Sequence, residues 1–328
     1  MDVISTKPPQ FDNTEIQKFL QNVYGIDGTI FLLDSERDQN FKVICENGNE
    51  FILKISNPHE NIEIVKLQSA AIKHIHEYDS TLNVPILIKS KEGNIINTLR
   101  GNFVRVQTFL KGRFIKELSS PPLKLLHEFG QFFAKLDLAI KEFEYPTIKK
   151  NWVWDIRNIR FLKKYLKYFN SNNDQKIINH FISNYESNIY PIEKHLRQQY
   201  IHNDGNDHNV LLDETGSISG IIDFGDMAHS FLVCELAVAI TYLILEDESP
   251  KGKIKSAVEG YQSLLPLRIE EIESLIHLIC IRACLTVVTA NYRKKLFPEN
   301  DYIIVTEEKA WTFLRNFSDI DLRSYKIY

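Results

Sequence analysis

Three oxygen-bearing side chains crowd into one short stretch: Asp204, then Asn209 five residues on, then Asp223 directly before Phe224 and Gly225. Between Tyr200 and Asp226, apolar strand-like residues bracket two polar clusters, His202-Asn203-Asp204-Gly205-Asn206-Asp207-His208-Asn209 and Asp223-Phe224-Gly225-Asp226. A turn at Glu214-Thr215-Gly216-Ser217 is expected to fold Val210–Leu212 back on Ile218–Ile222. Asn209 and Asp223 then lie side by side at one end of a hairpin, with Asp204 just beyond. The chemistry such a set could do is phosphoryl transfer. That reaction asks for one carboxylate to orient a hydroxyl and take its proton, and for oxygen donors to hold magnesium against phosphates. Asp and Asn are also ordinary turn residues, and a lone Asp-Phe-Gly occurs by chance. The combination across a hairpin is what makes the pattern specific.

The elements that must position these groups follow from periodicity. A helical rhythm runs from Asn13 to Val23, followed by strand-like residues Gly28–Leu33 and a polar loop Asp34–Asn40. Phe41–Ile44 and Phe51–Ile55 flank Glu46-Asn47-Gly48-Asn49, where Asn-Gly between two β-rich runs signals a hairpin. A helix is expected after Pro58 through Ile75, then strands around Val84–Lys89 and Phe103–Phe109. Beyond Gly112 the pattern turns helical. Ser119-Ser120-Pro121-Pro122 precedes a long amphipathic run to Phe143, and helical stretches recur at Ile156–Tyr168, Gln175–Leu196, Phe231–Leu245, Ile254–Leu264, Ile269–Leu285 and Thr306–Phe317. The expectation is an α+β chain: a strand-rich lobe over 1–110 with one long helix, and a mainly helical lobe over 111–328 that carries the polar hairpin.

Composition bounds the partners. The 328 residues are 44% hydrophobic and 25% charged, with a net charge of -4, an ordinary globular balance. That charge offers no basic surface for nucleic acid, so a small molecule is the expected partner. No basic-then-apolar leader precedes Thr6, and the longest apolar candidate, Phe231–Leu245, falls short of the ~20 residues of a membrane span. Cys45, Cys234, Cys280 and Cys284 are scattered, without the second pair a zinc site needs, and read as reduced thiols of a cytoplasmic protein.

His-x-Asp-x4-Asn followed by Ile-Asp-Phe-Gly-Asp resembles the aminoglycoside phosphotransferase and choline kinase superfamily. The wider wording, Asn206-Asp207-His208-Asn209-Val210-Leu211 and Gly220-Ile221-Ile222-Asp223-Phe224-Gly225-Asp226-Met227, is similar to the hydroxylysine kinases and their bacterial relatives. Further matches are Ser35-Glu36-Arg37-Asp38-Gln39-Asn40-Phe41, Leu53-Lys54-Ile55-Ser56-Asn57, Ala134-Lys135-Leu136-Asp137 and Phe297-Pro298-Glu299-Asn300-Asp301-Tyr302. The resemblance implies a two-lobed protein-kinase-like fold. It also implies Asp204 as catalytic base, Asn209 and Asp223 as Mg2+ ligands, His202 as a support of the loop backbone, and Lys54 as a contact to the phosphates of ATP or GTP. Ser35, Arg37 and Gln39 are candidate phosphate donors in a loop that has no glycine.

Two departures stand out. Gln68 occupies the helix position where the family's lysine finds a glutamate, with Glu63 on another face of the same helix; an amide orients an ammonium but does not neutralise it. Asn203 stands where glycine is frequent, and asparagine tolerates left-handed backbone best among the other residues. The acceptor is expected to be a small hydroxyl compound, an amino-alcohol or hydroxy-amino acid, with a hydroxylysine-like molecule favoured. Homoserine, choline, ethanolamine and aminoglycosides are the alternatives, as is an inactive nucleotide-binding homologue. Candidate acceptor contacts are Glu246, Arg282 and Tyr292, with Trp154 and Asp155 from an earlier segment. Arg282, between Cys280 and Cys284 on an apolar helix, either receives a substrate carboxylate or sits in an internal salt bridge. Asp226 and Glu235 are read as accessories, Glu235 propping the loop from below.

Overall fold

The structure is a computed structural model in which residues 6–146, 148, 152–296 and 304–328 are described. The Phe297–Tyr302 match and the first five residues lie outside them. The chain divides into two compact units, Met1–Lys111 and Gly112–Tyr328.

In the first unit, Asp12 caps α1 (Asn13–Phe19) and Glu15 returns the bond to the cap, so two of the helix's orphan N–H groups are satisfied. A π-helical turn, Leu20–Tyr24, carries the chain to Gly25, whose φ of 72° ends it. The strands are β1 (Thr29–Leu33), β2 (Gln39–Ile44), β3 (Glu50–Ile55), β4 (Leu87–Ile88), β5 (Asn97–Leu99) and β6 (Asn102–Thr108), with α2 (Ile62–Tyr78) between β3 and β4. They form one antiparallel sheet in the order β1-β2-β3-β6-β4, with β5 also on β6. Alternation sends Phe41, Val43, Leu53, Ile55, Val104 and Val106 into a core shared with Ile16, Phe19 and Leu20. Lys54 and Arg105, directly paired across β3 and β6, therefore share the opposite face, where Arg105 reaches α2. The sequence reading missed β5 and placed Gln39 and Asn40 in a loop, whereas both belong to β2.

The second unit contains β7 (Arg113–Phe114), α3 (Leu123–Ile140), α4 (Ile159–Tyr165), α5 (Asn172–Asn188), β8 (Gln198–Ile201), β9 (Val210–Leu212), β10 (Ile218–Ile221), β11 (Ala228–Phe231), α6 (Leu232–Ile244), α7 (Lys251–Gln262), α8 (Ile269–Leu296) and α9 (Ile304–Ser318). Two small sheets run β10-β9-β7 and β11-β8. Pro122 occupies the cap of α3 without a side-chain bond, so the two serines before the prolines do not close that helix. α8 is the longest apolar helix; it is long and apolar enough to cross a membrane, yet 89% of its most apolar window is packed inside the protein. That corrects the choice of Phe231–Leu245 as the longest apolar run, and Phe231 itself ends a strand.

α3 and α7 cross at their glycines. A Cβ on Gly130 would lie 1.9 Å from the Ala257 carbonyl oxygen, and one on Gly260 would lie 1.9 Å from that of His127. Backbone meets backbone there. One turn further along α3, the Phe133 ring fills the space beside Gly205, where a Cβ would come within 2.3 Å of it.

Candidate active site

The β9–β10 hairpin sets the site's register. Val210 pairs with Ile221, and the Ile222 N–H donates to the Asn209 carbonyl at 2.9 Å, so Asn209 and Asp223 stand next to each other at the hairpin's open end. His202 links the flanking segments: Nε2 lies 3.1 Å from the Ile222 carbonyl, Nδ1 accepts from the Asp204 N–H at 3.3 Å, and the ring packs edge-on against Phe224. These partners assign the ring proton to Nε2.

Asn203 adopts φ 64°, the left-handed conformation. Its side chain donates to the Asp226 carbonyl at 3.0 Å, and its backbone N–H reaches both oxygens of Glu235 at 3.3 Å. Glu235, fully buried in the first turn of α6, also accepts from the His202 N–H at 2.5 Å. Burial pushes its carboxyl up to about 7, against the two backbone donors that favour the ionised form. Trp152 adds an indole N–H to the Asp226 carbonyl at 3.0 Å.

Asp204 is held by three side chains. Oδ2 accepts from Asn209 Nδ2 at 2.8 Å, while Oδ1 accepts from Asn206 Nδ2 at 2.9 Å and from Arg282 Nη2 at 3.1 Å. Asn209 Nδ2 also donates to the Asp204 carbonyl at 2.9 Å, which spends both amide hydrogens and turns Oδ1 of Asn209 toward another partner. Burial and the carboxylates of Asp226 and Asp223 push the Asp204 carboxyl up to about 8, while Arg282 pulls it down. Asp223 also adopts the left-handed conformation, at φ 61°, and accepts from the Gly225 N–H at 3.1 Å.

The Asn209 amide oxygen and the Asp223 carboxylate are hard oxygen donors, the type that suits magnesium or calcium. Among the described residues no cluster of three or more His, Cys, Asp or Glu could hold a metal ion unaided. Two such donors leave the rest of a divalent ion's shell to other ligands.

The other expected residues distribute as follows. Trp154 joins Arg282, its carbonyl accepting from Nη1 at 3.2 Å and its ring lying 4.9 Å from the guanidinium. Tyr292 is about 15 Å along α8 from Arg282, by 1.5 Å per residue, and packs with Tyr165 and Tyr168. Glu246 is exposed and paired with Lys309 at 2.7 Å. Asp155 pairs with Arg157 at 2.7 Å and lines a surface cavity of about 540 Å³ to which Asp204, Asn209 and Asp223 do not contribute.

In the first unit, Lys54 is 7% exposed on β3. Gln68 Oε1 accepts from Arg105 Nη2 at 2.8 Å, so the neutral amide serves a guanidinium that the sequence reading did not consider. Glu63 pairs with Lys66 on the surface. The Gln39 side chain is taken up by the Phe11 backbone, accepting at 2.8 Å and donating at 3.0 Å, which removes it from the phosphate donors. Asn57 pins the Ser35–Asp38 loop, donating to the Arg37 carbonyl and to Asp38 at 3.0 Å each; Ser35 is exposed.

Comparison with known proteins decides the family. Residues 30–267 match the model of APH, the phosphotransferase enzyme family. The chain belongs to this family. As an APH phosphotransferase it acts on an alcohol group. It is 29% identical to hydroxylysine kinase of Bos taurus, over 95% of this chain and 90% of that one. It is 27% identical to homoserine kinase of Agrobacterium fabrum, over 59% of each. An amicoumacin kinase in complex with AMP-PNP, Ca2+ and Ami shares its kinase-like, two-lobed α+β fold, with a TM-score of 0.70 over 94% of each chain at 12% identity.

The supporting residues were unevenly visible in sequence. Asn206 lies two residues from Asp204 and carried the signal of a short polar side chain in the same polar loop. Arg105 and Tyr242 carried no signal, since both partners are set by tertiary packing.

Proposed function

We propose that this APH-family enzyme transfers the γ-phosphate of a purine nucleoside triphosphate to the hydroxyl of an amino-alcohol or hydroxy-amino acid, with a hydroxylysine-like acceptor favoured. The observation that carries it is the bonding of Asp204. Its Oδ1 accepts two hydrogen bonds and Oδ2 one, which leaves a lone pair on Oδ2 for an acceptor hydroxyl beside the Asn209–Asp223 pair. Asp204 accepts the hydroxyl proton through Oδ2, and Asn209 holds that oxygen in place while presenting its own Oδ1. Asn209 and Asp223 would hold Mg2+, which when bound supplies charge neutralisation for the phosphates. Lys54 is read as a phosphate contact, with Arg105 and Gln68 ordering the sheet face around it. ATP and GTP both serve as candidate donors, since main-chain groups near Val106–Gly112 would read the base.

The long match to hydroxylysine kinases supports the acceptor class. The shorter match to a homoserine kinase supports a second reading, phosphorylation of homoserine. Diphosphate release from ATP or GTP is measured with hydroxylysine, homoserine, choline, ethanolamine and aminoglycosides. Turnover is expected to be fastest with hydroxylysine and to fall by at least ~100-fold in Asp204→Asn, within the range of a lost general base. Full activity in that variant removes Asp204 as base, and release with homoserine alone selects the second reading.

A further inference from the structure

Arg282 is the largest fully buried side chain among the described residues, 2% exposed in the middle of an apolar helix. A guanidinium in such a place is costly unless its donors are met. Here they meet the site. Nε donates to the Tyr242 hydroxyl at 3.0 Å, Nη1 to the Trp154 carbonyl at 3.2 Å, and Nη2 to Asp204 Oδ1 at 3.1 Å. The Trp154 and Tyr242 rings, 4.9 and 5.3 Å from Cζ, flank the group.

A buried ion pair is a poor route to stability, because two charges leave water to make it. Its geometry has a more specific effect. A carboxylate offers about four lone-pair directions, two per oxygen. Arg282 and Asn206 occupy both on Oδ1, and Asn209 occupies one on Oδ2. Turning the carboxylate about its Cβ–Cγ bond would break all three bonds at once. We infer that Arg282 is a positioning residue: it presents Oδ2 of Asp204, and not Oδ1, to the acceptor hydroxyl, and does not bind a substrate carboxylate. The fork geometry matters as much as the charge, since Nε and Nη1 are anchored separately from Nη2 and only a planar guanidinium spans all three partners.

The inference rests on the kinase reading above, and its test separates the two. Arg282→Met and Arg282→Lys are assayed with hydroxylysine, which bears a carboxylate, and with ethanolamine, which does not. Rates are normalised to nucleotide-binding sites so that misfolded protein is not counted. Arg282→Met is expected to lower kcat by ~100-fold with both acceptors, the cost of a misplaced reacting group, while each KM stays within about twofold. Arg282→Lys keeps one donor and the charge and is expected to recover about tenfold of that loss. Added to Asp204→Asn, Arg282→Met is expected to change the residual rate by less than about threefold, because the group it positions is already gone. A rise in KM confined to hydroxylysine, with kcat intact, overturns the inference in favour of carboxylate binding. Unchanged kcat per binding site overturns it in favour of packing alone. Wild-type protein that turns over none of the acceptors overturns the kinase reading, and the inference with it. If Arg282→Met does not fold, Arg282→Lys carries the same comparison.

Discussion

Replacing Glu235 by alanine should cost the second unit stability in a pH-dependent way. The variant orphans the N–H groups of His202 and Asn203, both in residues with no exposed surface. At ~1–3 kcal/mol for each unsatisfied buried donor, the loss is about 2–6 kcal/mol. Asn203 also loses a bond that keeps it left-handed, a conformation that costs a further ~1 kcal/mol. Against this stands the charge that Glu235 buries. Its carboxyl titrates near 4.5 when unfolded and at about 7 in the protein, so between those values the folded state binds the proton more tightly. Wild-type stability therefore falls as pH rises through that window, by about 3 kcal/mol in all, and the alanine variant has no such fall. The difference between the two proteins should be largest below about pH 4.5 and smaller by about 3 kcal/mol at pH 8. Urea titrations followed by tryptophan fluorescence report on this unit, because Trp152, Trp154 and Trp311 all lie beyond Gly112. A loss below about 1 kcal/mol at pH 5, or one that grows with pH, would refute the account of Glu235 as a buried acceptor.

Asp223→Asn keeps the size and the tolerance for left-handed backbone but removes the charge. Nucleotide titrations in Mg2+ should weaken by about tenfold, and those in chelator should be unchanged, if Asp223 neutralises an ion at the phosphates. Gly130→Ala drives a methyl group into the Ala257 carbonyl and should cost ~3 kcal/mol, at the upper end for overpacking, because backbone yields poorly. A melting temperature within a degree of wild type would contradict the close crossing.

Asp204, Asn209 and Asp223 were legible in the sequence because a single local pairing sets them. Once Val210–Leu212 and Ile218–Ile221 are strands, Asn209 and Asp223 at their ends are neighbours, with Asp204 just beyond. The fold class was legible for a related reason: strand alternation and helical rhythm are local. Distant pairing was not. Arg282 meets Asp204 from 78 residues away, and Gln39 meets Phe11 from 28 residues away. β11 went unread and its last residue, Phe231, was given to the following helix, because apolar residues run unbroken from Phe231 into the first turn of α6, erasing the boundary that periodicity needs. The over-long reading of α5 is different. That helix ends at Asn188, and Pro191 was available as a stop signal. Tyr292 misled because an aromatic near a polar helix end suits a ligand wall and a ring cluster equally.

The glycine crossing of α3 and α7 has a consequence for where the Asp204 carboxylate sits. Main chain seated on main chain leaves nothing compressible in between, so α7 acts as the datum from which α3 is measured. Phe133 carries that measurement across to Gly205, the neighbour of Asp204. Changes on α7 that shift its axis by a fraction of an ångström would therefore be felt at the carboxylate without touching any group that performs chemistry. Turnover should drift with such changes before fold or affinity does.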